Sequence, residues 1–429
     1  MNESTVETAH PIAEPDRIQS LDVLRGFALL GILTLNILGF GLHSAGYFSP
    51  LIGLGETESS RLINLSVWGG VSVFFEGALR CLFSMLFGAG VVLFTASRSK
   101  ASSLYFKRNF WLLAFGLFDA YVLLWVGDIL IVYALCGGLL YFFRNMSPRG
   151  LIVVATVLLL LMSAFNTASG FFFSEARETG DVAWTEFSRD LIPSEEAYEQ
   201  QLAERRHGYF AAARFNAREM TEVLVQVIPM FLFWDALAMM LIGMAAFKLG
   251  VLDASWPASR YVKLAGIGFG LGLAANLYEL WLSVEAEYDL LVTFPFFQPT
   301  YHVGRLGMAL GYLGVVMLVC KRGMFPRARR SLAAVGRLAL TNYLMQSLIG
   351  LVLFTGFGFA LVGELERWQL YPVVLAIWAL QLWFSPWWLD RHRFGPLEWL
   401  WRSLTYGTRL MNGSGDVDPK TRGCQADLQ

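Results

Sequence analysis

Charge is what this sequence holds least of. Asp, Glu, Lys and Arg make up 16% of its 429 residues, where average soluble domains carry about 25%. That shortfall excludes an ordinary cytosolic enzyme, and 55% hydrophobic content excludes a disordered chain. With 33 Lys+Arg against 34 Asp+Glu the formal net charge is −1, so no global field draws in a polyanion and nucleic acid is not an expected partner. Cysteine is as thin. Cys81, Cys136, Cys320 and Cys424 lie far apart with no C-x-x-C spacing and no neighbouring His, giving neither a disulfide framework nor a metal site. No Walker-type loop, G-x-G-x-x-G, H-E-x-x-H or G-x-S-x-G is found, which removes the usual phosphate-cradling and hydrolytic signatures.

What the chain has is apolar length. A bilayer core about 30 Å thick needs roughly 20 mostly apolar residues per helix. Such runs fall at about 21–42, 68–96, 105–124, 127–143 and 151–173, then at 223–249, 264–283, 301–320, 338–362 and 369–389. The expected fold is therefore all-α, a polytopic membrane helix bundle of about ten transmembrane helices spanning residues 21–406. Lys and Arg concentrate in alternate loops: Arg98 to Arg108, Arg144 and Arg149, Lys248 to Lys263, Lys321 to Arg330, and Arg391 to Arg409. The opposite loops are acidic or neutral (Glu56 and Glu58; Asp128; Glu285, Glu287 and Asp289; Glu364 and Glu366). The positive-inside rule then places both termini in the cytoplasm.

The polar segment 1–20 lacks the basic start of a cleaved signal peptide, so the first span reads as a retained signal-anchor. The interval 174–222 reads as a helical insertion outside the membrane, with Ser194-Glu195-Glu196 as a capped helix start. The tail 407–429 is polar and is expected to be a disordered cytoplasmic extension. Glycines at Gly266, Gly268, Gly270 and Gly272, and at Gly304, Gly307, Gly311 and Gly314, suit close helix packing.

Ionisable groups inside a bilayer cost about 2.5–3.5 kcal/mol each on insertion scales, so they normally face a bundle interior or an aqueous cavity. Here they fall into layers. Asp22, Arg25 and Arg337 lie near the basic side. Glu76, Arg80, Asp235, Asn342 and Gln346 lie toward mid-depth. Asn36, His43, Asp119, Asp128, Glu279, His302 and Arg305 lie toward the other side. The spacings of Asp22/Arg25 and Glu76/Arg80 also suit ion pairs on one helix, and Asp119, set among aromatics, asks for a partner such as Arg305 or Arg80. The layering as a whole is what a hydrophilic cavity open from both sides would need.

Several stretches resemble a known family: Leu21-Asp22-Val23-Leu24-Arg25-Gly26, Leu82-Phe83-Ser84-Met85-Leu86-Phe87-Gly88, Gly127-Asp128-Ile129-Leu130, Gly336-Arg337-Leu338-Ala339-Leu340-Thr341-Asn342-Tyr343, and Phe394-Gly395-Pro396-Leu397-Glu398-Trp399. They are similar to the YeiB-like bacterial inner-membrane proteins over nearly the whole chain. More distantly, Leu21-Asp22-x-x-Arg25-Gly26 followed by Asn36 is similar to the first helix of the heparan-glucosaminide acetyltransferase group and of transmembrane acyltransferases generally. That likeness implies transfer of an acyl group from cytoplasmic acyl-CoA to an acceptor across the membrane, with a catalytic histidine shortly after the first helix. The matching position lies near Tyr47, four residues beyond His43. YeiB-like proteins often carry His where this chain has Asp119.

Two functions are expected from these features. As an acyltransferase, the chain would bind the nucleotide of acyl-CoA, as cosubstrate and not as a tightly held cofactor, through Asp22, Arg25, Arg80 and Arg337. Asn36 would face the developing oxyanion, and His43, Asp119 or His302 would act as base. Asp128, Asp235, Glu279 and Arg305 would meet an extracytoplasmic saccharide or envelope acceptor. As a secondary transporter, the same polar column would carry a small solute. The lipid bilayer is the expected partner in either case, and a homo-oligomer stays open.

Overall fold

A computed structural model describes residues 18–96, 101–189, 191–408 and 411–413. Segment 1–17 and tail residues 409–410 and 414–429 lie outside them, including Cys424. The described residues are helical apart from turns and one isolated bridge between His392 and Gly413.

Helix α1 (Gln19–Gly41) is the most enclosed of the long helices. It is followed by α2 (Glu58–Phe74), α3 (Ala78–Thr95), α4 (Ala101–Tyr121), α5 (Ile129–Phe143) and α6 (Pro148–Thr179). The insertion holds α7 (Val182–Ser188), α8 (Glu195–Arg206) and α9 (Tyr209–Glu222). A π-helical stretch, Val223–Leu232, leads into α10 (Phe233–Lys248), then α11 (Ala258–Glu285), α12 (Leu290–Thr293) and α13 (Tyr301–Lys321). The chain closes with α14 (Pro326–Arg337), α15 (Ala339–Phe354), α16 (Leu370–Leu389) and α17 (Pro396–Tyr406).

Local chemistry explains the helix starts. Thr57, Asp128, Ser147 and Ser194 each accept a backbone N–H in the first turn of the helix they precede, satisfying a donor that has no intrahelical partner. Among the described residues seven segments are long and apolar enough to cross a membrane, and the pair α14 and α15, bent by 80°, makes an eighth if it is one span. Two further expected spans correspond to helices that fall short on that measure. α4 carries Lys107, Arg108 and Asp119, and α5 has only 15 residues, or about 22 Å.

The glycine seam forms selectively. A Cβ at Gly268 or Gly272 would meet the α13 backbone around Gly304, Gly307, Gly311 and Met308, whereas one at Gly266 or Gly270 would meet nothing. The i, i+4 pair therefore faces α13 while the alternate pair looks outward. Gly26 and Gly336 bring α1 against α14 in the same manner, and Gly88 and Gly243 bring α3 against α10.

Three interruptions break the regular helices of the bundle. α2 and α3 are separated at Phe75-Glu76-Gly77, where Gly77 takes φ +64 and a Cβ would strike Tyr301 and Arg305; only glycine suits both demands. The π-helical stretch contains Pro229, which cannot donate to the helical ladder. α14 and α15 part at Leu338.

The loops gather at two ends. At one, rich in Lys and Arg, Ser20 Oγ donates to Leu252 O, Lys248 Nζ to Arg144 O and Trp401 Nε1 to Arg108 O. At the other, Gly363 N donates to Gly41 O and Arg367 Nη2 to Gly46 O and Ser49 O. We call these the basic end and the far end.

Candidate functional site: two cavities back to back

A cavity of about 290 Å³ opens toward the far end. Asn36 from α1, Tyr47 from the following turn, Glu76 and Arg80 from the α2–α3 break, and Trp125 and Asp128 before α5 line it. Its roof is the insertion, through Arg205, Phe215, Asn216 and Glu219. The roof is tied down by backbone capping. Arg205 donates to the carbonyls of Leu42 (2.7 Å), Gly39 (3.1 Å) and Phe40 (2.8 Å) at the end of α1. Asn216 Nδ2 donates to Ala120 O at the end of α4 (2.6 Å), and Tyr209 Oη to Val122 O (3.0 Å). A cation on the last carbonyls of a helix is the favourable end of its dipole. Burial pulls the Arg205 guanidinium down to about 10.

A second cavity, of about 210 Å³, lies at the basic end. Four arginines line it: Arg25, Arg108, Arg337 and Arg402. The Arg108 guanidinium sits over the Trp401 ring at 4.3 Å and the Phe94 ring at 5.0 Å. The one acid in its lining, Glu398, is committed to the start of α15. It accepts from Leu340 N (2.7 Å), Thr341 N (3.0 Å) and Thr341 Oγ1 (2.6 Å), and burial raises its carboxyl above the ordinary range. The Pro396-Leu397-Glu398-Trp399 stretch thus closes the gap left by the bend at Leu338. The chamber combines four arginines, Arg25 among them paired to Asp22, with flat aromatic walls, a lining suited to phosphate and to a planar ring.

The two cavities nearly meet. On α3, Arg80 lines the first and Phe83 the second; on α5, Asp128 and Ile129 line the first, and Leu130 and Tyr133 the second. Along α3 that is three residues, roughly 4.5 Å, and along α5 the two linings meet at consecutive residues. Between them stand a Ser84–Tyr133 hydroxyl pair at 2.7 Å and Tyr343 Oη, which accepts from Ile129 N at 3.1 Å.

Beside this partition lies a dry ionic cluster. Asp235, three residues beyond the π-helical stretch, takes both Nη atoms of Arg305: Nη1 to Oδ2 at 2.6 Å, and Nη2 to Oδ1. Arg305 Nη2 also meets His302 Nδ1 at 2.6 Å. Arg80 Nη2 lies 3.7 Å from Asp235 Oδ2 and donates to Tyr301 Oη at 3.0 Å. Glu279 accepts from the Thr300 hydroxyl in a small adjoining pocket that it shares with Glu76, Tyr301 and Arg305.

The sequence-derived residues are therefore distributed unevenly. Arg25 and Arg337 line the basic cavity, with Asp22 pairing Arg25 at 3.1 Å. Arg80, grouped with them from sequence, belongs to the far-end cavity, because the α2–α3 break turns it that way. Asn36 and Asp128 line the far-end cavity as well. Asp119 pairs with neither Arg305 nor Arg80; it is fully buried and its two carboxyl oxygens have no hydrogen-bond partner among the described residues, with Asp128 and Ser347 its polar neighbours. His43 is beside the far-end cavity but outside its lining. Its Nδ1 accepts from Ala45 N, its ring stacks on Tyr198 at 4.7 Å, and burial, then Arg205, push its imidazole down to about 4. His302 is turned onto Arg305 and lines neither cavity. Among the described residues no cluster of His, Cys, Asp or Glu fits a metal ion.

Sequence reasoning passed over Arg205, Arg367 and Tyr301, named Glu398 only within the family-like stretch 394–399 and gave it no role, and took Arg108 and Arg402 for ordinary loop charges. Arg367, fully buried, holds the loop after α1 through Gly46 O, Ser49 O and Ile52 O. The one available signal was the aromatic beside Arg402, Trp401.

Fold and composition define a multi-pass, all-helical membrane protein. Residues 246–408 match the family described as a protein of unknown function, DUF418. Over 420 residues the chain is 30% identical to the uncharacterised protein YxaH of Bacillus subtilis (strain 168), covering 94% of this chain and 97% of that one. It is 28% identical to the uncharacterised protein YeiB of Escherichia coli (strain K12), covering 91% and 96%. It is also 28% identical to an uncharacterised 39.9 kDa protein of the amylase 3′ region of Bacillus acidopullulyticus, covering 93% and 97%. The chain belongs to this YeiB-like family. No solved structure matches it.

Proposed function

We propose that the chain is a membrane acyltransferase that takes an acyl group from acyl-CoA at the basic end and hands it to an acceptor in the far-end cavity. By the positive-inside rule the basic end faces the cytoplasm, with both termini, in a bacterial inner membrane. The observation that carries the reading is the pairing of two dissimilar cavities across a partition less than one helical turn thick. The basic one suits a phosphorylated nucleotide. The far-end one, with Asn36, Asp128, Asn216 and Trp125 on its walls, suits a hydroxyl-bearing acceptor such as a saccharide or envelope molecule. A pantetheine arm crossing at Tyr133 would bring its thioester beside Asn36 and Arg80, and Asp128, backed by Asp119, would receive the acceptor's proton.

A second reading, a solute carrier, rests on the interruptions at Glu76, Pro229 and Leu338, since carriers often place broken helices at their binding sites. One experiment separates the two. Acetyl-CoA added to the purified full chain should raise its unfolding temperature, and acetyl phosphate, which lacks the nucleotide, should not. Absence of a shift with acetyl-, butyryl- and palmitoyl-CoA would contradict the enzyme and favour the carrier.

A further inference from the structure

The two arginines of the mid-depth cluster are not equivalent. Arg305 is 1% exposed, its two Nη atoms on Asp235 and one of them also on His302, while its buried Nε, like that of Arg80, has no partner among the described residues. Arg80 keeps 27% of its side chain exposed, in the far-end cavity. A guanidinium carries five N–H donors. Tyr301 is the one hydrogen-bond partner of Arg80 among the described residues, and its buried Nε has none. A cation kept in a membrane interior with most of its donors unused calls for an acceptor that the protein itself does not supply. Asp235, 3.7 Å from Arg80, is shared with Arg305, and Glu76, on the same break, lines the same cavity as Arg80.

That balance defines the ligand. Glu76, Asp128 and Glu219 stand against Arg80 and Arg205 in the lining, so the cavity carries no positive surplus and a resident polyanion is disfavoured. A neutral carbonyl oxygen that gains charge only during reaction is favoured, since the donors are already aimed and need no reorganisation. Position agrees: Arg80 lies on the far-end side of the partition whose basic-end side is Tyr133.

We propose that Arg80 is a catalytic residue that holds the acyl carbonyl oxygen as the group crosses the partition, with Tyr301, Asp235 and Glu76 as positioning residues; this rests on the acyl-transfer reading above. The acceptor's hydroxyl oxygen attacks the thioester carbon and the new C–O bond forms. The carbonyl π pair moves onto oxygen, where the Arg80 N–H donors meet it. Collapse of that intermediate breaks the C–S bond, and the electron pair leaves with the CoA sulfur. The hydroxyl proton, received by Asp128, ends on the departing thiolate, giving free CoA thiol and the acylated acceptor.

The test uses membrane vesicles containing the full chain, acetyl-CoA as donor and the native membrane as acceptor source, reading CoA thiol release. Arg80→Met should lower kcat by about 10²–10³ with the acetyl-CoA KM within about twofold and thermal stabilisation by acetyl-CoA retained. Added guanidinium ion should restore part of that rate, a response no merely structural role would give. Should Arg80→Met fail to fold, Arg80→Lys decides, because it keeps the charge but not the planar fork; it should remain folded and lose more than tenfold in kcat. Wild-type kcat in Arg80→Met or in Arg80→Lys, or a loss expressed wholly in KM, overturns the assignment of Arg80 alone. A wild-type chain that releases no thiol from any acyl-CoA overturns the acyl-transfer reading itself.

Discussion

The mid-depth cluster and the basic cavity both gather arginines, under opposite rules. Around Asp235 two guanidiniums share one carboxylate, with Arg305 sealed from solvent and Arg80 partly open to the far-end cavity. In the basic cavity four arginines crowd together, and Glu398, the acid in the lining, is turned to the start of α15. The first arrangement holds helices in register where no water is available to solvate a charge. In the second, four arginines and one acid line the cavity, with Asp22 pairing Arg25 from outside the lining. Arg305 is charge used as structure, whereas under the acyl-transfer proposal Arg80 and the basic cavity are charge that meets a ligand.

Substitutions can break or sharpen this contrast. The largest effect belongs to Asp235→Asn, which strands Arg305 in a dry site. About 3–5 kcal/mol of stability should be lost, read as a fall in the denaturant midpoint of detergent-purified protein. The double variant with Arg305→Met should recover much of it. An Asp235→Asn protein as stable as wild type would show that the pair is not buried charge at all.

Glu398→Ala comes next. It deprives Leu340 N–H and Thr341 N–H of their acceptor, and about 2 kcal/mol should go. Glu398→Gln should lose less than half of that, because the raised carboxyl tolerates the neutral form.

A smaller, pH-dependent effect sits at the roof of the far-end cavity. His43 is held neutral, with its folded value near 4 below the ordinary 6.5. Its contribution is therefore complete above pH 6.5 and is lost as the pH falls through that value toward 4. Between these limits thermal stability should drop by about 1 kcal/mol more in wild type than in His43→Phe. Equal slopes in the two proteins would contradict it.

Arg108→Gln should have the smallest effect on folding. Removing one of several like charges offsets the lost ring contacts, and stability should move by no more than about 0.5 kcal/mol. Stabilisation by acetyl-CoA should nevertheless vanish, and retained stabilisation would break the distinction between the two regions.

The sequence made the scaffold legible because hydrocarbon and glycine spacing act locally. A run of apolar residues is a span by length alone, and glycines four apart on α11 and three or four apart on α13 predict a close seam without reference to anything distant. The polar column was visible as a set of costly residues, but its pairings were not. Asp235 and Arg305 are 70 positions apart, and nothing in either helix says that Asp119 will be left to Asp128. The α2–α3 break carried only Gly77 as a signal, and it is this break that moves Arg80 from one cavity to the other. Arg205 and Arg367 escaped notice, and Glu398 was given no role, for a different reason. Their partners are backbone carbonyls or N–H groups of remote helix ends and loops, which carry no side-chain signature.

The central claim is that two cavities reach toward each other from opposite faces and stop at Tyr133 and Arg80. Thiol labelling in sealed vesicles tests it most directly. In a chain with its four native cysteines replaced, Asn36→Cys and Arg108→Cys are each exposed to a membrane-impermeant maleimide from one side at a time. The account predicts that Arg108→Cys reacts from the cytoplasmic face alone and Asn36→Cys from the opposite face alone. Labelling of both from one face would contradict it.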